Sequence, residues 1–155
     1  MTTPDPTGSA GLTDPAAPTI RPFRHEDGPA VIALWRACGL TRPQNDPERD
    51  IARKLAMQPE GFLVAERGGR VLGSVMVGYD GTRGWLHLLG THPDAQRQGI
   101  GRALVQAAER WLLARGGAKL NLQVRRDNTA VIGFYQRLGY GVDDVVGLGR
   151  RLIPD

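Results

Sequence analysis

From Ile100 onward the apolar residues recur as Ala103, Leu104, Ala107, Trp111 and Ala114, the three-and-four spacing of one helical face. Directly against that face stands Gln96-Arg97-Gln98-Gly99-Ile100-Gly101, and before it a β-rich apolar run over 85–91. The chain must therefore place a strand, a glycine turn and an amphipathic helix in succession, the unit of an α/β fold. Glycine in a first helical turn costs about 1 kcal/mol relative to alanine. Such a position calls for what glycine alone provides, backbone N–H groups with no side chain in the way. Bare amides at a helix N-terminus, where partial positive charge collects, make an anion site.

Two familiar anion motifs do not fit. A dinucleotide fingerprint needs a third glycine or alanine where Leu104 stands, and an acidic residue about 20 positions on. A phosphate-binding P-loop needs a Lys-Ser or Lys-Thr pair, and here Arg102-Ala103 follows the last glycine. Taken alone, the segment also reads as a helix that begins with flexible glycines. What surrounds it decides.

The rest of the chain is regular from Thr19. Residues 19–23 read as a strand and 25–38 as a helix with Val31, Leu34, Trp35 and Cys38 on one face, ended by Gly39. Asp46-Pro47 reads as an N-cap and first helical residue, opening a helix that buries Ile51 and Leu55. Apolar runs over 62–66 and 71–79 joined by Arg67-Gly68-Gly69-Arg70 form a hairpin, and the turn over 80–84 leads into the strand at 85–91. Leu120, Leu122 and Val124 alternate with polar residues as a half-buried strand does. Asp127 or Asn128 caps a helix that runs to Leu138, Gly139 stops it, and 144–153 reads as a last strand. The order is β-α-α-β-β-β-α-β-α-β. Residues 1–18 hold four prolines and no apolar run, which predicts a disordered leader without signal peptide or membrane span, ahead of a domain over 19–155.

Composition narrows the function. At 155 residues, 41% hydrophobic and 23% charged, the chain has the size of one globular domain. Its net charge of +4 is carried almost wholly by scattered arginines, with lysine only at Lys54 and Lys119, which suits an anionic cofactor better than a nucleic-acid surface. No basic run is interleaved with aromatics, so nucleic acid is not an expected partner, nor is a membrane. Cys38 is the single cysteine, which excludes an intrachain disulfide and a zinc-ligand cluster and fits a reducing cytoplasm.

In register, Leu89-Gly90-Thr91-His92-Pro93, then Gln96-x-x-Gly99-x-Gly101, then Asn128-x-Ala130 followed by Tyr135 and Leu138-Gly139-Tyr140 resembles the GNAT superfamily of acyl-CoA-dependent N-acetyltransferases. The similarity spans about residues 19–153. Within it, RPQNDPERDIARK and GYDGTRG resemble the small bacterial acetyltransferases of YpeA type.

The resemblance implies an α/β fold of GNAT type, a mixed twisted sheet with helices on both faces. Its fourth and fifth strands splay to admit a pantetheine arm. It implies acetyl-CoA as co-substrate, held by Leu89, Gly90 and Thr91, by the amides of Gln96, Arg97, Gln98, Gly99, Ile100, Gly101 and Arg102, and by Asn128. It also implies metal-free acyl transfer to a primary amine, of a small metabolite or a peptide, by direct attack in a ternary complex. That chemistry needs an amine relieved of its proton, donors for the developing oxyanion and a proton for the leaving thiolate. Tyr135 matches the family's thiolate donor, with Phe134 as the neighbouring core residue. His87, two residues before Leu89 and so expected on the same face, is the candidate base, with a water relay as the other route; His92 reads as a turn residue. Arg42, Asn45 and Asp46 in one loop, and Tyr79, Asp80 and Arg83 around a hairpin, are the expected acceptor contacts. A non-catalytic acyl-CoA sensor is the competing function, for which a thiolate donor at Tyr135 would have little use. Whether the chain forms a homodimer is left open.

Overall fold

The structure, a computed structural model, describes residues 17–154, so residues 1–16 of the expected leader lie outside the described residues. It contains β1 (Thr19–Pro22), α1 (Gly28–Ala37), α2 (Pro47–Ala56), β2 (Phe62–Arg67), β3 (Arg70–Tyr79), β4 (Gly84–Thr91), α3 (Ile100–Leu113), β5 (Leu120–Asn121) and α4 (Thr129–Arg137), with short 3₁₀ turns between some of them. The five strands lie in sequence order in one sheet. Every neighbouring pair is antiparallel except β4 with β5, which is parallel, so the sheet is mixed as expected.

Side-chain alternation sorts the core into two layers. Phe62, Val64 and Met76 face α1 and α2, where Val31, Trp35 and Ile51 join them. Leu63, Ala65, Val75 and Val77 point the other way, onto Ile100, Leu104, Ala108 and Trp111 of α3. Covering both faces explains why β2 and β3 read as nearly continuous apolar runs. Two polar groups are buried with partners. Ser74 accepts a hydrogen bond from Trp35 Nε1 (3.0 Å). Asp27 is held by both terminal nitrogens of Arg21 (2.7 and 2.9 Å), which also pairs through Nε with Glu66 (2.6 Å) and so ties β1 to β2 and to the turn before α1.

Local signals hold at most element ends. Asp46 caps α2 by accepting from the N–H groups of Glu48 and Arg49, with Pro47 in the first turn. Three expectations are corrected. The helix over 25–38 divides into a 3₁₀ turn, His25–Asp27, and α1, whose first turn contains Pro29. The strand over 120–124 is paired only at Leu120–Asn121. The last strand over 144–153 does not form, because β5 offers too short an edge to pair with and Gly147 and Gly149 interrupt the apolar run.

Candidate active site

β4 joins β5 at two positions only, Gly84 with Leu120 and Trp85 with Asn121. Beyond them the strands part, and the β5-facing backbone groups of β4 have no strand partner among the described residues. The register of β4 on β3 also slips, from Met76 opposite His87 to Ser74 opposite Gly90. This is a β-bulge at Leu88, whose φ is +50°. It corrects the expected alignment of His87 with Leu89. Opposite Met76, His87 lies on the α1/α2 side. Leu88 packs into the layer of Phe23 and Met76, and Leu89 into the layer of α3. The extra bulge residue breaks the period-two rule between them.

His87 is solvent-accessible, yet the surrounding protein desolvates it and Lys54 adds a like charge, so its pKa falls below the usual 6.5. Its imidazole is therefore neutral at pH 7 and able to accept a proton. Lys54 was not among the expected site residues. Half-buried, it donates from Nζ to the carbonyl of Val77 (2.6 Å), and burial lowers its pKa against a smaller opposing effect of Glu60. The available signal was its place beside Ile51 and Leu55 on the buried side of α2.

At the far end of β4 the chain turns through Gln96–Gly99 into α3. Gly99 is the N-cap at φ +79°, with open space where a Cβ would stand, and Arg97 also has a positive φ of 63°. The N–H groups of Ile100, Gly101 and Arg102 have no hydrogen-bond partner among the described residues, as the start of a helix dictates. Gln96, Arg97, Gln98 and Arg102 are exposed, and Gln98 Oε1 accepts from Arg67 (2.8 Å). Ile100 is buried and presents only its amide. The second glycine has a different reason from the expected one. A Cβ on Gly101 would come within 3.2 Å of Phe134 Cζ and 3.6 Å of Thr91 Oγ1, so its bareness lets α4 approach α3. Gly90 is covered from the other side, where a Cβ would meet Leu40 Cδ1 at 2.9 Å and Cys38 Sγ at 3.3 Å.

Asn128 caps α4, accepting from the N–H of Val131 (3.4 Å). The two aromatics that follow exchange their expected places, since Tyr135 is buried and Phe134 only partly so. The Tyr135 ring meets Phe134 and Tyr140 edge-on. Its hydroxyl has no protein partner among the described residues, and the only sealed, unpartnered side-chain polar atom there is Trp111 Nε1. The Tyr135 oxygen thus opens onto accessible space. Burial of the ring drives its pKa well above the usual 10, so the hydroxyl keeps its proton.

The expected acceptor residues fall into two groups. Arg42 and Asn45 line an open cleft of about 350 Å³ with Arg36, Thr41, Pro43 and Pro47. Asp46 is engaged as the α2 cap. Tyr79, Asp80 and Arg83 line no part of that cleft and build their own turn. Asp80 Oδ1 accepts from the N–H groups of Thr82 (2.7 Å) and Arg83 (2.6 Å), which lowers its pKa, and Tyr79 donates its hydroxyl to the Gly81 carbonyl (3.0 Å). Among the described residues no cluster of His, Cys, Asp and Glu could hold a metal ion, and no helix is long and apolar enough to cross a membrane.

Comparison with known proteins decides the family. The model of the acetyltransferase (GNAT) family matches residues 28–140, from the start of α1 to just past α4. The chain belongs to the GNAT family. This GNAT protein is 54% identical over 136 residues to an acetyltransferase of Pectobacterium atrosepticum, covering 88% of this chain and 96% of that one. The crystal structure of the ribosomal-protein-S18-alanine N-acetyltransferase of Escherichia coli superposes with a TM-score of 0.67 at 27% identity, over 79% of this chain and 76% of the other. That of the PaiA N-acetyltransferase of Thermoplasma acidophilum in complex with coenzyme A shares the fold, with a TM-score of 0.72 at 20% identity over 85% and 94%. The protein is thus a GNAT acyl-CoA-dependent N-acetyltransferase with acetyl-CoA as donor. Its residues fit that donor. The strands β4 and β5 part beyond Trp85, and the first amides of α3 have no partner among the described residues.

Proposed function

We propose that the protein transfers the acetyl group of acetyl-CoA to a primary amine by direct attack in a ternary complex. The observation that carries this reading is the two-residue β4–β5 pairing. It leaves a gap through the sheet with α3 and α4 on one face and His87 on the other. The amides of residues 97–102 receive the donor's pyrophosphate at the positive end of α3, with Arg97 and Arg102 near enough in sequence to add charge. Asn128 and the backbone of Leu89, Gly90 and Thr91 flank the acyl arm. β4 amides beyond Trp85, left without a strand partner on the β5 side, meet the carbonyl oxygen as it gains charge. Bound acetyl-CoA supplies the thioester. His87, neutral at pH 7, takes the amine proton directly or through water, and Tyr135 donates to the departing sulfur.

We assign the acceptor to the cleft of Arg42 and Asn45, because Asp46, Asp80 and Tyr79 are already engaged by their own turns and caps. Arg36 and Arg42 there favour an amine that also carries a carboxylate, either a small zwitterionic metabolite or a peptide. The single thiol of Cys38 fits a reducing compartment, which we take to be the cytoplasm. A panel of amines, amino acids and peptides assayed for thiol release from acetyl-CoA tests this. Converging initial-rate lines with an accepted amine are expected. Parallel lines would overturn direct attack, and tight donor binding without turnover of any amine would make the protein a sensor.

A further inference from the structure

The turn between β2 and β3 sets two arginines face to face. Gly68 and Gly69 both have positive φ (+59° and +76°), as the central residues of a tight hairpin turn do, and Arg67 and Arg70 stand directly opposite each other at its base. Like charges so placed destabilise a hairpin. Each is met, however, by an acceptor from the segment that leads into α3. Arg67 Nη2 donates to Gln98 Oε1 (2.8 Å), and Arg70 Nη2 donates to Asp94 Oδ2 (3.3 Å). Asp94 is in turn held from behind. Its N–H donates to His92 Nδ1 (3.1 Å), and the N–H of His92 carries the β3–β4 ladder one bond past Gly73 and Thr91, onto the carbonyl of Leu72 (2.8 Å).

The two contacts bracket the strained part of that segment. Arg97, at φ +63°, lies between Asp94 and Gln98, and Gly99 follows at φ +79°. A left-handed conformation is disfavoured for arginine and persists only where its surroundings over-determine it. Ala95 and Ile100 are buried and anchor the two ends of the loop, but residues 96–99 are all exposed, so packing does not fix them. We propose that the β2–β3 turn is a clasp for the donor loop, in which Arg67 and Arg70 are positioning residues that hold residues 94–98 in the shape that turns the first amides of α3 toward the pyrophosphate of acetyl-CoA. The inference rests on the reading that these amides receive the donor. Direct attraction of phosphate would be another use for the two guanidinium groups, but the choice of acceptor argues against it for Arg70. Asp94 offsets its charge and repels an anion.

Calorimetric titration of the full chain with coenzyme A tests the clasp. Arg67→Met, Gln98→Ala and Arg70→Met should each weaken binding by about two- to fivefold, the scale of one exposed contact. The double variant Arg67→Met/Gln98→Ala should bind no more weakly than the weaker single one, because both changes remove the same link. Asp94→Ala discriminates by sign. On charge alone it should tighten binding, since it takes a negative charge away from a phosphate, whereas through the clasp it should weaken binding. In the two arginine variants the KM for acetyl-CoA should rise while kcat and melting temperature hold, and the amide order parameters of residues 96–99 should fall in the free protein. Unchanged affinity in both arginine variants overturns the proposal. So does tighter binding by Asp94→Ala, or an additive double variant, which would make Arg67 a direct phosphate contact. Amide resonances of Ile100, Gly101 and Arg102 in the wild type tell the two failures apart. If coenzyme A shifts them and the variants bind as the wild type does, the clasp alone fails; if it leaves them unmoved, the donor-site reading fails and the clasp with it.

Discussion

Replacing Tyr135 by phenylalanine removes one oxygen and leaves the ring where it is. The residue is 6% exposed, and its ring centroid lies 5.1 Å from that of Phe134 and 5.6 Å from that of Tyr140, contacts that phenylalanine keeps. No protein hydrogen bond is lost, so stability should change by less than about 1 kcal/mol. The catalytic cost is larger. A leaving thiol resembling cysteine has a pKa of about 8.5, while burial holds the Tyr135 hydroxyl well above 10. Full transfer of its proton to the thiolate is then uphill by at least about 2 kcal/mol. The hydroxyl therefore acts chiefly as a hydrogen-bond donor that strengthens as charge gathers on sulfur. Losing one such donor costs about 2.7–4 kcal/mol, or 10²- to 10³-fold in kcat. Thiol release from acetyl-CoA with an accepted amine measures the rate, while calorimetric titration with coenzyme A and thermal unfolding check that binding and fold survive. Wild-type turnover in the Phe variant would refute the donor role. A rate loss matched by lost cofactor affinity would reduce Tyr135 to packing.

Three further outcomes are expected. His87→Gln should remove the acidic limb of the pH–rate profile, which in the wild type lies below the usual histidine pKa of about 6.5 because desolvation and Lys54 lower it; an unmoved limb would assign proton removal to water. Asp27→Asn should destabilise by about 3 kcal/mol at pH 7, because it leaves the partly buried Arg21 guanidinium with Glu66 as its remaining carboxylate. Arg21 holds the Asp27 carboxyl below its ordinary pKa, so this contribution is present above about pH 4 and lost as the pH falls further; urea titrations of both proteins at pH 7 and pH 3 should converge at the lower value. Gly101→Leu should weaken coenzyme A binding and also lower the melting temperature, since its side chain must displace Phe134, whereas binding lost at unchanged melting temperature would show that the glycine serves the ligand alone.

Much of this fold was legible where the cause is local. The Asp46-Pro47 cap, the Arg67–Arg70 hairpin, the stripe of α3 and the Asn128 cap each depend on residues a few positions apart, and each forms. What escaped depends on partners distant in sequence. The alternation that aligned His87 with Leu89 assumes an unbroken ladder, and the bulge at Leu88 sends Leu88 and Leu89 into different core layers. Phe134 and Tyr135 are equally apolar to a periodicity argument, and only the position of α4 against α3 decides which is buried. Gly101 reads like Gly99 until Phe134 is seen beside it. Residues 144–153 have strand composition, but a strand is a pair, and the monomer offers no second member.

A single strand both closes this sheet and opens it. Antiparallel pairing to β3 runs along most of β4, while parallel pairing to β5 stops after Trp85. Beyond that last pair β4 carries the bulge of its other ladder, which holds Leu88 at φ +50°, a left-handed conformation that costs a bulky residue about 1–2 kcal/mol. Two anchors oppose relaxation. Leu88 is fixed in the layer beneath α1 and α2, and its neighbour Leu89 in the layer beneath α3, so flattening the backbone would pull one side chain out of a packed core. Strain in one residue is thus balanced by burial on both faces. In the proposed mechanism, the β4 amides beyond Trp85, which have no strand partner on the β5 side among the described residues, are the donors for a carbonyl oxygen that gains charge during acyl transfer.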